Sequence, residues 1–67
     1  MTEAYVKPTL WEYVLIRYPT DRSHKPYTLD KPVLVLATSE ANVQKIAARS
    51  IPENVDVEEV TIAVRPF

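Results

Sequence analysis

Three side chains of the types that form a hydrolytic triad lie close together in the first half of the chain. They are Asp21, Ser23 and His24. Such a triad needs a rigid scaffold that fixes its geometry and donors that stabilise the oxyanion. Neighbours on one loop seldom meet these requirements, so we interpret His24 as a surface histidine and predict no catalytic residue.

The same segment combines basic and aromatic side chains, which is typical of surfaces that contact phosphates and stack on bases. The possible nucleic-acid contacts are Arg17, Arg22, Lys25 and Tyr27. The whole chain, however, has eight basic and nine acidic residues and a net charge of −1. It therefore offers no positive field to attract nucleic acid, and we favour a solvated connection whose tyrosines close over the core edge.

An acidic group in the second half of the chain could offer oxygen ligands to a divalent cation. Its members are Glu53, Asp56, Glu58 and Glu59. Calcium-binding loops have regularly spaced ligands and a glycine at the turn, and neither is present. We therefore predict no metal site and interpret these residues as a charged edge that discourages strand pairing.

Missing residue types exclude several other kinds of site. The 67 residues contain no glycine, no cysteine and one histidine. Nucleotide-binding loops and nucleophile elbows need glycine, while disulfides and thiolate zinc sites need cysteine. We predict that the protein is not an enzyme and that it binds no cofactor.

The chain length predicts one small domain that benefits from association. A chain of this size buries only about 60% of the surface that its unfolded form exposes. Small domains commonly gain stability from disulfides, metals or oligomerisation, and only the last remains here. The start of the chain does not resemble a signal peptide, and the longest apolar run, residues 33–37, is too short to span a bilayer. We expect a soluble protein that binds a protein partner or a second copy, with no membrane association.

The elements follow from alternation, capping signals and prolines. Strands are predicted over residues 10–18, 32–37 and 57–65, because these segments are rich in β-branched and aromatic side chains. Residues 19–31 form a long connection, with a short extended piece near Tyr27. A bulge is expected near Glu58, and Pro66 is expected to end the last ladder.

A helix is predicted between the second and third strands. Ser39 is positioned to accept the amide hydrogen of Asn42, and Pro52 prevents the helix from continuing. Apolar or small side chains recur at helical spacing on one stripe, which consists of Val43, Ile46, Ala47 and Ser50.

These elements predict a single α+β domain of β-β-α-β order, with an extended arm over residues 1–10 and the domain over residues 11–67. The sheet is three-stranded and mainly antiparallel, in the order 2-1-3, with one helix on one face. The other face carries several of Trp11, Tyr13, Leu15, Leu34 and Leu36, or their alternates. It is either an interaction site or covered by the arm and Phe67.

Three segments resemble a type of small tailed-bacteriophage protein. They are residues 36–42, residues 47–53 with an Ala-Ala-Arg-x-Ile-Pro helix end, and residues 57–67 with a final Val-Arg-Pro-Phe. The resemblance extends over residues 11–67 as a pattern. It implies a phage source and a role as a virion accessory or as a modifier of a host protein, and it transfers no functional residue.

The leading hypothesis is a non-enzymatic structural or assembly protein, a small capsid-associated component that docks on a larger subunit. Its expected location is the virion or the host cytoplasm. An inhibitor or modifier of a host protein is the first alternative, and a weak nucleic-acid-binding protein is the second. The expected partner contacts are Tyr5, Trp11, Tyr13 and Phe67, because tyrosine and tryptophan are enriched as interface anchors.

Overall fold

The computed structural model describes residues 7–21 and 24–67 of the chain. The elements within these residues are the strands β1 (Thr9–Arg17), β2 (Tyr27–Thr28) and β3 (Val33–Ala37), the helix α1 (Glu40–Arg49), a 3-10 turn (Val57–Glu59) and the strand β4 (Val60–Pro66). The fold belongs to the α+β class, as the sequence predicts.

Strand β1 is the centre of an antiparallel sheet. Its first half pairs with β3, from Thr9 opposite Ala37 to Tyr13 opposite Val33. On its other side it pairs with β4, from Trp11 opposite Pro66 onward. The short β2 pairs with the last two residues of β1. The predicted order of second, first and third strand is confirmed as β3-β1-β4, because β1 is apolar on both faces and gains most from a central position.

The core lies between one face of this sheet and α1. Its buried side chains are Tyr13, Leu15, Ala37, Val43 and Ala47. The helix begins as predicted, with the Ser39 hydroxyl accepting the Asn42 amide at 3.3 Å. The centre of the predicted stripe is buried, whereas Ile46 at its margin is partly exposed.

The structure corrects four details of the predicted elements. The sheet gains a fourth strand, the two-residue β2, beside the three that were predicted. The strand β1 begins at Thr9, one residue before the predicted start, because Thr9 already pairs with β3. A 3-10 turn stands where a bulge was expected, and the Asp56 carboxylate caps it by accepting the Glu58 amide at 3.0 Å. The ladder also continues past Pro66, since the Phe67 amide donates to the Leu10 carbonyl at 3.0 Å.

Candidate protein-binding surface

The face of the sheet opposite α1 is the candidate site, and we call it the open face. Side chains alternate along a strand, and directly paired residues share a face. The open face therefore consists of the even-numbered residues of β1 and of the residues that pair with them in the neighbouring strands. Its members are Leu10, Glu12, Val14, Ile16, Thr28, Leu34, Leu36, Thr61, Ala63 and Arg65. Within the described residues the single helix packs on the other face, so it does not cover this one.

A row of large apolar side chains crosses one end of the open face. Leu36 of β3 lies opposite Leu10 of β1. On the other side of β1, the backbone hydrogen bond from the Phe67 amide to the Leu10 carbonyl places Phe67 next in the row. The exposed fractions are 66% for Leu36, 36% for Leu10 and 69% for Phe67. Leu34, the next open-face residue of β3, is also exposed. A contiguous exposed patch of this kind marks an interaction surface more often than scattered apolar residues do.

An ion pair lies beside this apolar row. The Arg65 guanidinium donates from Nε to the Glu12 carboxylate at 2.7 Å, across the β1–β4 pair. This hydrogen bond is the main cause that raises the pKa of Arg65 above its ordinary value, and the charge of Glu12 adds to it. The two charges offset each other, so this pair adds no net charge to the open face.

The predicted partner contacts fall in different places. Phe67 lies at the end of the exposed row. Trp11 is half-buried on the helix side, where its Nε1 donates to the Ala37 carbonyl at 3.2 Å. Tyr13 is only 5% exposed and belongs to the core, so it offers no surface to a partner. Tyr5 lies outside the described residues.

The leucines of β3 were grouped with the wrong side chains. The sequence placed Leu34 and Leu36 with Trp11, whereas the register sets Val35 opposite Trp11. A shift of one residue in register moves every side chain of a strand to the other face. Alternation along the strand showed that Leu34 and Leu36 lie on the same face of β3. It did not give the register between β3 and β1, which decides what that face is shared with. Leu10 was missed as a contact because it was assigned to the strand end next to the arm.

Arg17, one of the possible nucleic-acid contacts, lies at the end of β1 and joins distant segments of the fold. Arg17 donates from Nη1 to the Tyr27 hydroxyl at 2.8 Å and pairs through Nη2 with Glu59 at 3.4 Å. Glu59 also accepts the Thr20 amide at 2.8 Å. The hydrogen bond with Tyr27 is the main cause that raises the pKa of Arg17, and Glu59 adds to it. A guanidinium already paired with a carboxylate is a poor phosphate ligand, which supports a solvated connection. The predicted closure of the tyrosines over the core edge is wrong, because Tyr18 and Tyr27 are both exposed.

Among the described residues, the other nucleic-acid candidates and the triad-type side chains form no assembled site. Lys25 is exposed, and Arg22 and Ser23 lie outside the described residues. His24 Nδ1 lies 3.3 Å from the Asp21 carboxylate, and both side chains are largely exposed. An exposed pair lacks the rigid, water-excluding surroundings that a triad needs.

The acidic group does not assemble a metal site in the described part of the chain. In residues 7–21 and 24–67, no three His, Asp or Glu side chains lie close enough together to hold a metal ion. Two of the four acidic residues have local structural roles instead, Asp56 as the cap of the 3-10 turn and Glu59 as the partner of Arg17.

No helix among the described residues has the length and apolar character needed to cross a membrane. Comparison of the chain with protein-family models, with curated proteins and with solved structures found no match.

Proposed function

We propose that this protein is a non-enzymatic assembly module that docks on a larger protein subunit through its open face. The observation that carries this proposal is the exposed row of Leu36, Leu10 and Phe67. Fully burying an exposed side chain of this size contributes roughly 1.5–3 kcal/mol. A partner that covers the row therefore gains more from it than from any charged group described on this face.

The small core supports a partner that is another protein. In the described residues only five hydrophobic side chains are buried. A domain with so small a core gains stability when a second surface covers its exposed apolar side chains. The neutralised Glu12–Arg65 pair favours an apolar protein surface over a polyanion, since binding to nucleic acid depends on unpaired basic groups.

The resemblance to small tailed-phage proteins supports a virion as the assembly in which the subunit is found. The alternative form of the proposal is a phage-encoded modifier that covers a surface of a host protein. Both forms use the same open face, so the identity of the subunit distinguishes them.

The test uses a photo-crosslinking residue at position 36 of the full chain, produced in the cells or particles from which the sequence comes. The matched control carries the same residue at position 57, which is exposed in the 3-10 turn outside the open face. We expect position 36 to label one protein and position 57 not to label it. A structural protein of a particle would identify the virion form, and a host protein would identify the modifier.

The labelled subunit is then purified and titrated calorimetrically with the unlabelled chain. We expect Leu36→Lys to weaken binding at least tenfold, because it places a charge in the apolar row, and tenfold corresponds to about 1.4 kcal/mol. The matched control is Val57→Lys, which is exposed but lies in the 3-10 turn outside the open face. Equal affinities for the wild type and Leu36→Lys would exclude docking through the open face.

A further inference from the structure

The outer edge of β4 carries backbone groups that no described strand uses. The Tyr18 amide donates to the Glu59 carbonyl at 2.7 Å, and the Phe67 amide donates to the Leu10 carbonyl at 3.0 Å. Because hydrogen-bonding residues alternate in an antiparallel ladder, the odd-numbered residues of β4 face β1. The N–H and C=O groups of Ile62 and Val64 therefore point away from β1, and β1 is the strand with which β4 pairs.

This edge has few of the features that prevent pairing with another chain. Charged side chains, prolines and bulges protect edge strands, and the segment from Val60 to Val64 contains no charge and no proline. The outward-pointing backbone groups of Ile62 and Val64 have no available N–H group beyond them at either end of the strand. The Val60 amide is already used, since it donates to the Val57 carbonyl, and Pro66 has no N–H group.

We propose that β4 pairs antiparallel with β4 of a second copy of this chain, about a two-fold axis beside Ala63. In this register, Ala63 lies opposite Ala63 of the second copy. Ile62 then exchanges both backbone hydrogen bonds with Val64 of the second copy, and the symmetry repeats the exchange. Each Pro66 lies opposite Val60 of the other copy, and the Val60 amide already donates to the Val57 carbonyl. The hydrogen-bonded segment therefore ends at the same pair of residues on both sides of the axis.

The charges on α1 favour this edge over the free edge of β3. A groove on the β3 side is lined by Leu36 of β3 and by Lys45, Ile46 and Arg49 of α1. Two-fold pairing through β3 would bring these basic side chains of both copies toward each other. The 3.6-residue period places Glu40, Gln44 and Ala48 on the opposite flank of the helix, toward β4, and none of the three is basic. A second copy at β4 therefore meets a flank whose one charged side chain is the acidic Glu40 in the first turn of α1.

The pairing would change the size of the docking surface. A two-fold axis perpendicular to the sheet places both helices on one side and both open faces on the other. A stable interface covers about 800 Å² on each partner, so a larger docking surface favours stable binding. One continuous sheet from two copies presents both apolar rows to a partner. This inference is independent of the docking proposal, because β4 can pair whether or not the open face is covered.

The test measures the mass of the full chain in solution by light scattering or sedimentation. We expect the wild type at micromolar concentration to have twice the chain mass and Ala63→Lys to have the mass of one chain, because two lysines would face each other across the axis. Ala63→Glu should also be a monomer. An equimolar mixture of the two variants should recover the double mass, since the facing charges are then opposite.

Circular dichroism checks that each variant is folded, and Leu36→Lys is the matched control on the far strand of the open face. Retention of the double mass by Leu36→Lys supports pairing through β4. A monomeric wild type, a dimer that Leu36→Lys abolishes, or a mixture of the Ala63 variants that stays monomeric would each overturn the proposal. The first and third results leave the docking proposal standing, because they concern β4 and not the apolar row.

Discussion

The tyrosines show how one residue type takes different roles according to its surroundings. Tyr13 is 5% exposed, and its hydroxyl lies 3.0 Å from the Ser50 hydroxyl. Ser50 itself donates to the Ile46 carbonyl, so Tyr13 is the donor in this pair. Tyr18 is 48% exposed, and Tyr27 accepts a hydrogen bond from Arg17 on the surface. From the sequence, Tyr13 was a predicted partner contact and Tyr27 a possible nucleic-acid contact.

We predict that Tyr13→Phe lowers the free energy of unfolding by about 1 kcal/mol. The substitution removes the donor to Ser50 at a buried site and keeps the ring that packs against α1. Urea denaturation of the wild type and the variant measures the difference. Tyr18→Phe is the control, for which a change of less than about 0.5 kcal/mol is expected at an exposed position. Equal losses in both variants would show that the Tyr13 hydroxyl has no special role.

Arg17 joins segments that are far apart in the chain, but it does not make stability sensitive to pH near neutrality. Tyr27 and Glu59 raise its pKa above the ordinary value of an arginine side chain. A group whose pKa is higher in the folded state contributes stability that is fully present below its unfolded pKa. That contribution is lost only as the pH rises through the folded pKa, in strongly alkaline solution. The pH dependence of unfolding around neutrality must therefore come from other groups.

At the scale of elements, α1 depends on signals at its ends as well as on its buried face. The Ser39 hydroxyl accepts the Asn42 amide, and the Asn42 side chain donates to the Thr38 hydroxyl at 2.7 Å. Glu40 in the first turn and Arg49 in the last turn both complement the helix dipole. A helix of ten residues is marginal in water by itself, so these contacts and the packing of Val43 and Ala47 decide whether it forms.

We predict that Ser39→Ala lowers the free energy of unfolding by about 1 kcal/mol through the loss of the N-cap acceptor. For a domain of this size, that loss lowers Tm by roughly 4–8 °C in a thermal melt. Ser39→Asp keeps an acceptor and adds a charge that suits the start of a helix, so its Tm should stay near that of the wild type. If Ser39→Asp loses as much stability as Ser39→Ala, the cap hydrogen bond is not the cause.

At the scale of the whole molecule, exposed apolar surface and a free strand edge occur on one small domain. The helix covers one face of the sheet, and the described residues bury few side chains in the core. Association through the open face, through β4 or through both covers surface that a single chain leaves in water. We therefore expect stability and assembly to be linked in this protein.

We predict that the Tm of the isolated wild-type chain rises with protein concentration, because a dimer binds the folded chain and not the unfolded one. Thermal melts at a low and a high micromolar concentration measure the rise. The Tm of Ala63→Lys should be the same at the low and the high protein concentration. A wild-type Tm that is independent of concentration would contradict dimerisation of the folded chain.

The sequence by itself determined the types and the approximate limits of the elements. The alternation in β1, the cap at Ser39 and the stop at Pro52 act within a few residues, so they can be recognised without knowing the rest of the fold. The central position of β1 also followed, because only a strand that is apolar on both faces benefits from neighbours on each side. The expected absence of catalytic groups rests on composition in the same way.

Only the tertiary structure decided which side chains share a face and which contacts join distant segments. The register that sets Val35 opposite Trp11 moved Leu36 to the open face, and alternation has no information about register between strands. The pair of Arg17 with Glu59 spans 42 positions in the chain, so no local pattern contains it. The candidate site was therefore predicted only as one face of the sheet, and its members became known when the four strands and the helix were packed together.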